Sequence, residues 1–283
     1  MDYSSTLHKA LLQQCSNESL AWLKKSIEEV ESSQKPEEVH QIASAMARRK
    51  VGDEPFHFIC DLEGETIVTV DHWTCSDAAR ILLALVLQKQ SATPLTELLS
   101  QLYAQGDERE RAALLLGLAL LDQEGSWVIE AEDCCRTNSL VLLSAMAMNN
   151  AYPSEHFSHR GFNQLVLKSL FLGLNIADTE GLSSRLNTEL TQMCADYIEE
   201  RVAAGRDYPH AIWLAIRLSE CPATTCAQLI DSIFSEVMNR RYYALSSLLP
   251  QKDALPRNVV AALEKQKTIE KNEQIRILLN QLV

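Results

Sequence analysis

Apolar residues recur at helical spacing along nearly the whole chain, and one stretch breaks the pattern. From Ser4 to Arg49 the spacing predicts two or three helices, with Asn17 as an N-cap ahead of Leu20-Ala21-Trp22-Leu23. Pro36 takes a first-turn position in the next helix, before the apolar Val39, Ile42 and Met46. Pro55 to Trp73 reads differently: Phe56, Phe58 and Cys60, then Ile67, Val68 and Val70, flank the turn-like Glu63-Gly64-Glu65. That pattern predicts a short hairpin or extended excursion near residues 56–70. Helical signals return later, where Ser76 ahead of Asp77, Thr93-Pro94, Gly106-Asp107 and Tyr152-Pro153 punctuate apolar-periodic stretches. The spacing predicts roughly a dozen helices in all.

Three stretches, Ala78 to Leu87, Ala112 to Leu121 and Phe162 to Leu172, are apolar nearly all the way round, and such helices must be covered on several sides. Short-linked helices of this kind, without a clean sequence period, predict an all-α fold. Its expected form is an α-solenoid-like array of antiparallel helix pairs, a single domain over residues 1–283. Arg257 to Val283, a mixed-charge helix with Ile269, Ile275, Leu278, Leu279 and Leu282, is expected to belong to a C-terminal helical cap over 250–283. Composition agrees, since 9 Gly and 8 Pro in 283 residues leave few turn formers.

Charge removes some function classes. Thirty-eight acidic against 26 basic residues give a net charge of −12, which repels phosphate backbones, so no nucleic-acid partner is expected. Met1-Asp2-Tyr3-Ser4-Ser5 shows no basic region followed by an apolar stretch. The longest apolar runs, Ile81 to Leu87 and Ala112 to Leu121, fall short of the roughly 18 residues of a membrane span. A cytoplasmic protein with no transmembrane segment is expected. The eight cysteines include no C-x-x-C and read as reduced, incidental thiols. His156 and His159 with Glu155 lack a third ligand at metal spacing, and no phosphate-cradling loop or nucleophile elbow occurs, so neither metal nor cofactor is expected.

Polar residues inside apolar helices are the remaining signal. Residues 138–187 hold six of the eleven asparagines, although Asn is a poor helix former. Asn163 shares a stripe with Val166, Leu167, Leu170 and Leu174, and Lys168 sits on the same helix, where a charge is costly unless paired. Arg80 interrupts Ala78-Ala79-Arg80-Ile81-Leu82 in the same way. Arg136 opens the helix carrying Asn138, Asn150 and Tyr152 punctuate the next boundary, and Arg185, Asn187, Arg201 and Arg206 follow on a later helix. Together these residues are candidates for one polar cluster that binds a ligand.

Read in order, Trp73…Asp77-Ala78-Ala79-Arg80, Arg136-Thr137-Asn138, Asn149-Asn150-Ala151-Tyr152-Pro153…Phe157 and Phe162-Asn163-Gln164-Leu165-Val166-Leu167-Lys168 resemble the EboA family. Gly181-Leu182…Arg185…Asn187…Glu189-Leu190 and Glu200 to Arg206 continue the likeness, which is best over residues 70–215. Phe162 stands where the family pattern has Trp, and Ala151 where it resembles Asn-Pro-Tyr-Pro. The resemblance implies an accessory protein of a bacterial secondary-metabolite gene cluster. Other products of such clusters resemble a membrane-embedded prenyltransferase, a metal-dependent hydrolase, a sugar-isomerase-like barrel and a dehydroquinate-synthase-like enzyme. It supplies no reaction.

Three readings stand at this point. The first is a non-enzymatic helical protein that binds or scaffolds a metabolite intermediate or a partner enzyme, its partners being other proteins of the same cluster and a small-molecule metabolite. In the second, an enzyme acts on a small lipid-like or aromatic metabolite through Lys168, with Tyr152, Glu200 or a histidine as acid/base partner. The third holds that the polar residues only fix packing.

Overall fold

The computed structural model describes residues 3–62 and 66–283, with side chains described except at 60–62 and 66–71. The expected turn Glu63-Gly64-Glu65 lies outside the described residues. The chain divides into two compact units, Met1–Phe157 and Ser158–Val283. Both are helical, as the spacing predicts, and the two-stranded hairpin is the one sheet among the described residues. No helix among them is long and apolar enough to cross a membrane.

The first unit opens with α1 (Tyr3–Gln14), α2 (Asn17–Ser32) and α3 (Pro36–Val51), followed by β1 (Pro55–Leu62) and β2 (Thr66–Thr74). It continues through α4 (Cys75–Gln90), α5 (Leu95–Gln105), α6 (Glu108–Leu116), α7 (Leu118–Leu121), α8 (Val128–Cys134), α9 (Leu140–Ala147) and α10 (Tyr152–His156). Helix α4 is its axis. Every residue from Ala78 to Leu87 is buried, because α1, α2, α3, α6 and α7 all pack on it. Its start is fixed by a capping box, in which Asp77 N donates to Thr74 Oγ1 at 3.2 Å and Thr74 N to Asp77 Oδ2 at 3.0 Å. Ser76, which the sequence marks as the boundary, lies inside the helix and donates to Asp53 Oδ1 at 3.0 Å.

Three local expectations change. The N-cap of α2 is Ser16 rather than Asn17; Ser16 is extended and accepts from Ser19 N at 3.2 Å. Helix α3 is rotated from its expected face: His40, Ala43, Ser44, Ala47 and Val51 are buried, while Ile42 is 69% exposed. Small side chains bring α3 close to the bulky apolar surface of α4, and that fit outweighs one exposed isoleucine. The Ala112–Leu121 run is two helices because the chain breaks at Gly117, where a Cβ would meet Ile81 Cγ1 at 2.8 Å.

The hairpin is antiparallel, with Phe56 opposite Trp73, Phe58 opposite Val70, and a bulge between Phe56 and Phe58. Phe56, Phe58 and Trp73 are buried in a stacked row with centroid spacings of 6.2 and 6.4 Å.

The second unit contains α11 (His159–Phe171), α12 (Leu182–Arg185), α13 (Thr188–Ala203), α14 (Ala223–Ile233), α15 (Met238–Leu248), α16 (Arg257–Ile269) and α17 (Glu273–Leu282). Tight 3-10 segments at Ile176–Asp178, His210–Ala215, Leu218–Glu220 and Leu249–Ala254 connect them. Helix α15 packs on the His210–Ala215 segment, α14 and α17, and Trp213 is fully enclosed there, edge-on to Tyr208. Helix α11 buries one face only, with Phe171 exposed, so Phe162–Leu172 is not covered all round. The C-terminal stretch is two helices rather than one. The turn between them is tied down by Glu270, whose carboxylate pairs with Arg241 and accepts from Asn272 N at 2.8 Å.

Candidate functional site

A small pocket of the first unit opens between α3, α4, α5 and α6. Its inner lining is His40 and Ser44 from α3 with Arg80, Ile81 and Ala84 from α4, and its rim carries the exposed Gln41 and Gln105. The cavity measures about 40 Å³, room for more than the single water that roughly 10–15 Å³ accommodates. Arg80 reaches it from an otherwise apolar helix because its charge is met inside the protein. Its Nε donates to Ser44 O at 3.2 Å, Nη1 donates to Ser76 Oγ at 3.3 Å, and Asp77 Oδ1 lies 3.8 Å away. His40 is different. The ring is only 5% exposed, and neither Nδ1 nor Nε2 has a hydrogen-bond partner. Burial pushes its pKa down to about 4, so the imidazole is neutral at pH 7.

The other sequence candidates divide into separate groups. In the first unit, Asn150 is buried and satisfied: Nδ2 donates to Leu115 O and Ala145 O, both at 3.0 Å, and Oδ1 accepts from Tyr152 N at 3.1 Å. Asn149 makes that turn with φ 48°, a left-handed conformation Asn tolerates. The Tyr152 hydroxyl donates to Asp122 Oδ2 at 2.6 Å, and burial together with that carboxylate raises the phenol's pKa. Asp122 is fully buried and also accepts from Ser126 N and Trp127 N. Arg136 and Asn138 lie in the connection between α8 and α9, not on a helix, and both are exposed; the Arg136 side chain is 83% accessible and pairs with Asp133.

In the second unit, Asn163 and Asn187 exchange amide hydrogen bonds at 3.1 and 2.9 Å, while Asn187 caps α13 by accepting from Leu190 N at 2.9 Å. Arg185 joins them, with its guanidinium 4.9 Å over the Phe162 ring and Nη2 donating to Ser158 O at 3.2 Å. Phe162 is thus a buried aromatic platform under that guanidinium. Lys168 is half-buried at the edge of α11's buried face. Arg201 closes the end of α13 on Asp207 O at 2.7 Å, and Arg206 is exposed beyond the left-handed Gly205. Arg80 thus lines the pocket, Asn150 with Tyr152 and Asn163 with Asn187 and Arg185 form hydrogen-bonded packing groups, and the rest stand apart.

Sequence reasoning missed His40 and Asp122. The stripe His40, Ala43, Ser44, Ala47 has helical spacing, but the larger Val39, Ile42 and Met46 masked it. Asp122 carries the pattern of a turn-capping acid before Gly125, a signal available in the sequence.

No curated protein and no solved structure matches the chain. The family model described as metabolite traffic protein EboA matches residues 3–217, which takes in the His40–Arg80 pocket and both asparagine groups. With that match over most of its length, the chain belongs to the EboA family.

Proposed function

We propose that this chain is a non-catalytic accessory protein that takes the polar end of a small metabolite intermediate into the His40–Arg80 pocket, whose volume of about 40 Å³ admits only a few atoms, and passes the molecule to other proteins of its gene cluster in the cytoplasm. The family's description as a metabolite traffic protein supports the metabolite part of this reading. The observation that carries it is His40, whose two buried nitrogens have no partner beside a cavity. An unsatisfied buried polar group costs about 1–3 kcal/mol, and a ligand is the partner that would recover it. A neutral imidazole offers one donor and one acceptor, so the pocket suits a small uncharged polar end of a molecule. With a pKa near 4, His40 is a weak base far from the value that favours proton transfer at pH 7, which suits holding rather than catalysis. The seven described unpaired cysteines suit a reducing compartment, and burial pushes the thiols of Cys15 and Cys194 up to about 12.

The test is native mass spectrometry of the protein purified from a host carrying its gene cluster, beside a His40→Leu variant. The wild type is expected to retain a small molecule that the variant loses, although the variant gains about 1 kcal/mol in stability by losing a stranded polar group. A wild type that emerges without a ligand, or a variant that keeps it, would overturn the proposal.

A further inference from the structure

The second unit contains a larger opening whose chemistry differs from that of the first pocket. Ala177, Thr179, Leu182 and Leu186 form one wall, and Leu214 with Tyr242 and Ser246 of α15 the other, around a cavity of about 340 Å³. That volume falls within the roughly 300–1,000 Å³ of small-molecule sites. None of its lining residues carries a charge, in a chain where 23% of residues do.

Its polar atoms fall into two classes. Gln251 is fully committed: Nε2 donates to Ile216 O at 3.0 Å and Ser247 O at 2.9 Å, and Oε1 accepts from Leu218 N at 2.7 Å. Ser247 Oγ donates to Ala244 O at 2.8 Å. Thr179 Oγ1 and Ser246 Oγ, by contrast, are both shut off from solvent without a hydrogen-bond partner, and both residues line the cavity. Two orphan hydroxyls on residues that line one cavity are unusual in a structure that satisfies most of its buried polar groups, and rotation of either short side chain is what would turn its hydroxyl to an occupant. The walls are fixed independently of any ligand. The Tyr243 hydroxyl donates to Asn175 Oδ1 at 3.1 Å, tying α15 to the segment that leads into Thr179.

We infer that this cleft is a second small-molecule site that takes a neutral amphipathic molecule, with an apolar body against Leu182, Leu186 and Leu214 and a hydroxyl or carbonyl group at Thr179 and Ser246. The hydroxyls can donate or accept, so either group is served. A charged head group is excluded, because nothing in the lining would compensate its lost hydration. The site does not depend on the reading of the His40–Arg80 pocket.

The experiment titrates 1-octanol, octanoate and octylammonium into the full-length protein with its leucine methyl groups labelled for NMR. These probes share a chain and differ in head-group charge. Octanol is expected to shift the Leu182, Leu186 and Leu214 methyls and to bind at least tenfold more tightly than either ion. In the double variant Thr179→Val with Ser246→Ala, octanol affinity is expected to fall about tenfold while the remaining methyl spectrum stays native. Three results would overturn the inference: no binding of octanol at these leucines, equal binding of an ion, or undiminished octanol affinity in the folded double variant.

Discussion

The pocket of the first unit and the cleft of the second handle buried polarity in opposite ways. In the first, Arg80 sits on a helix that is buried at every other position from Ala78 to Leu87, and the protein supplies partners for its charge in Ser44, Ser76 and Asp77. Only its neighbour His40 is left unsatisfied. In the second, no charge enters, and the unsatisfied groups are two hydroxyls on apolar walls. The contrast separates architecture from recognition: a buried polar group whose partners are all in the chain holds the fold, and one whose partners are missing beside a cavity marks a site. By that criterion Asn150, Tyr152, Asn163 and Asn187 are packing devices.

The largest effect should come from the fully partnered charge. Arg80→Met would remove the cation that faces Asp77 and delete the donors to Ser44 O and Ser76 Oγ, and breaking such a buried pair costs about 3 kcal/mol or more. Urea unfolding measures it, and a loss below about 1 kcal/mol would mean that Arg80 is not part of the packing.

His40 offers a comparable effect through pH. Unfolded, this histidine takes up a proton as the pH falls below its ordinary 6.5; folded, it resists until about 4. The unfolded state therefore binds more protons between these values, and stability falls as the pH is lowered through the window, by roughly 3 kcal/mol at 1.36 kcal/mol per unit. His40→Leu should abolish that slope. The second unit responds lower on the scale. Burial would raise the Glu270 carboxyl, but hydrogen bonds from Asn272 N and Gln266 and the charge of Arg241 hold it below the ordinary 4.5. Its contribution is present above 4.5 and is lost as the pH falls further. A wild-type profile that is flat down to about 4.5 would show that His40 is not buried neutral.

A middle-sized effect belongs to the asparagine pair. Asn163→Ala leaves the Asn187 amide short of a partner and should cost about 1–3 kcal/mol without altering ligand retention. Adding Asn187→Ala should cost less than the sum of the two changes, because the pair acts as one unit. Additive losses would dissolve it.

These residues also show how far the sequence could be read. Arg80 and Asn163 stood out because each interrupts an apolar stripe, and both are buried and bonded as that position demands. The helical spacing and the hairpin were legible for the same reason, since local periodicity reports which face is covered. The grouping was not. Arg136 and Asn138 share a short stretch with buried residues yet lie on an exposed connection, and Asn150 and Asn163, near in sequence, serve different networks. His40 was hidden because α3 packs by its small residues and leaves Ile42 outside, a preference set by the surface of α4 rather than by α3 itself. The orphan hydroxyls could not be read at all, because lacking a partner is a property of the folded surroundings and not of Thr or Ser.

The smallest effect completes the comparison. In the second unit, Thr179→Val and Ser246→Ala delete hydroxyls that bond to nothing, so each should leave stability within about 0.5 kcal/mol of wild type or raise it slightly. Tyr152→Phe in the first unit also deletes a single hydroxyl, but that one donates to buried Asp122, and its loss should cost about 1–2 kcal/mol. The three variants differ from wild type by similar chemistry, so thermal unfolding of all of them in one buffer isolates the role of the partner. If the cleft variants were as damaging as Tyr152→Phe, their hydroxyls would have partners inside the fold, and the cleft would belong with the packing devices rather than with the sites.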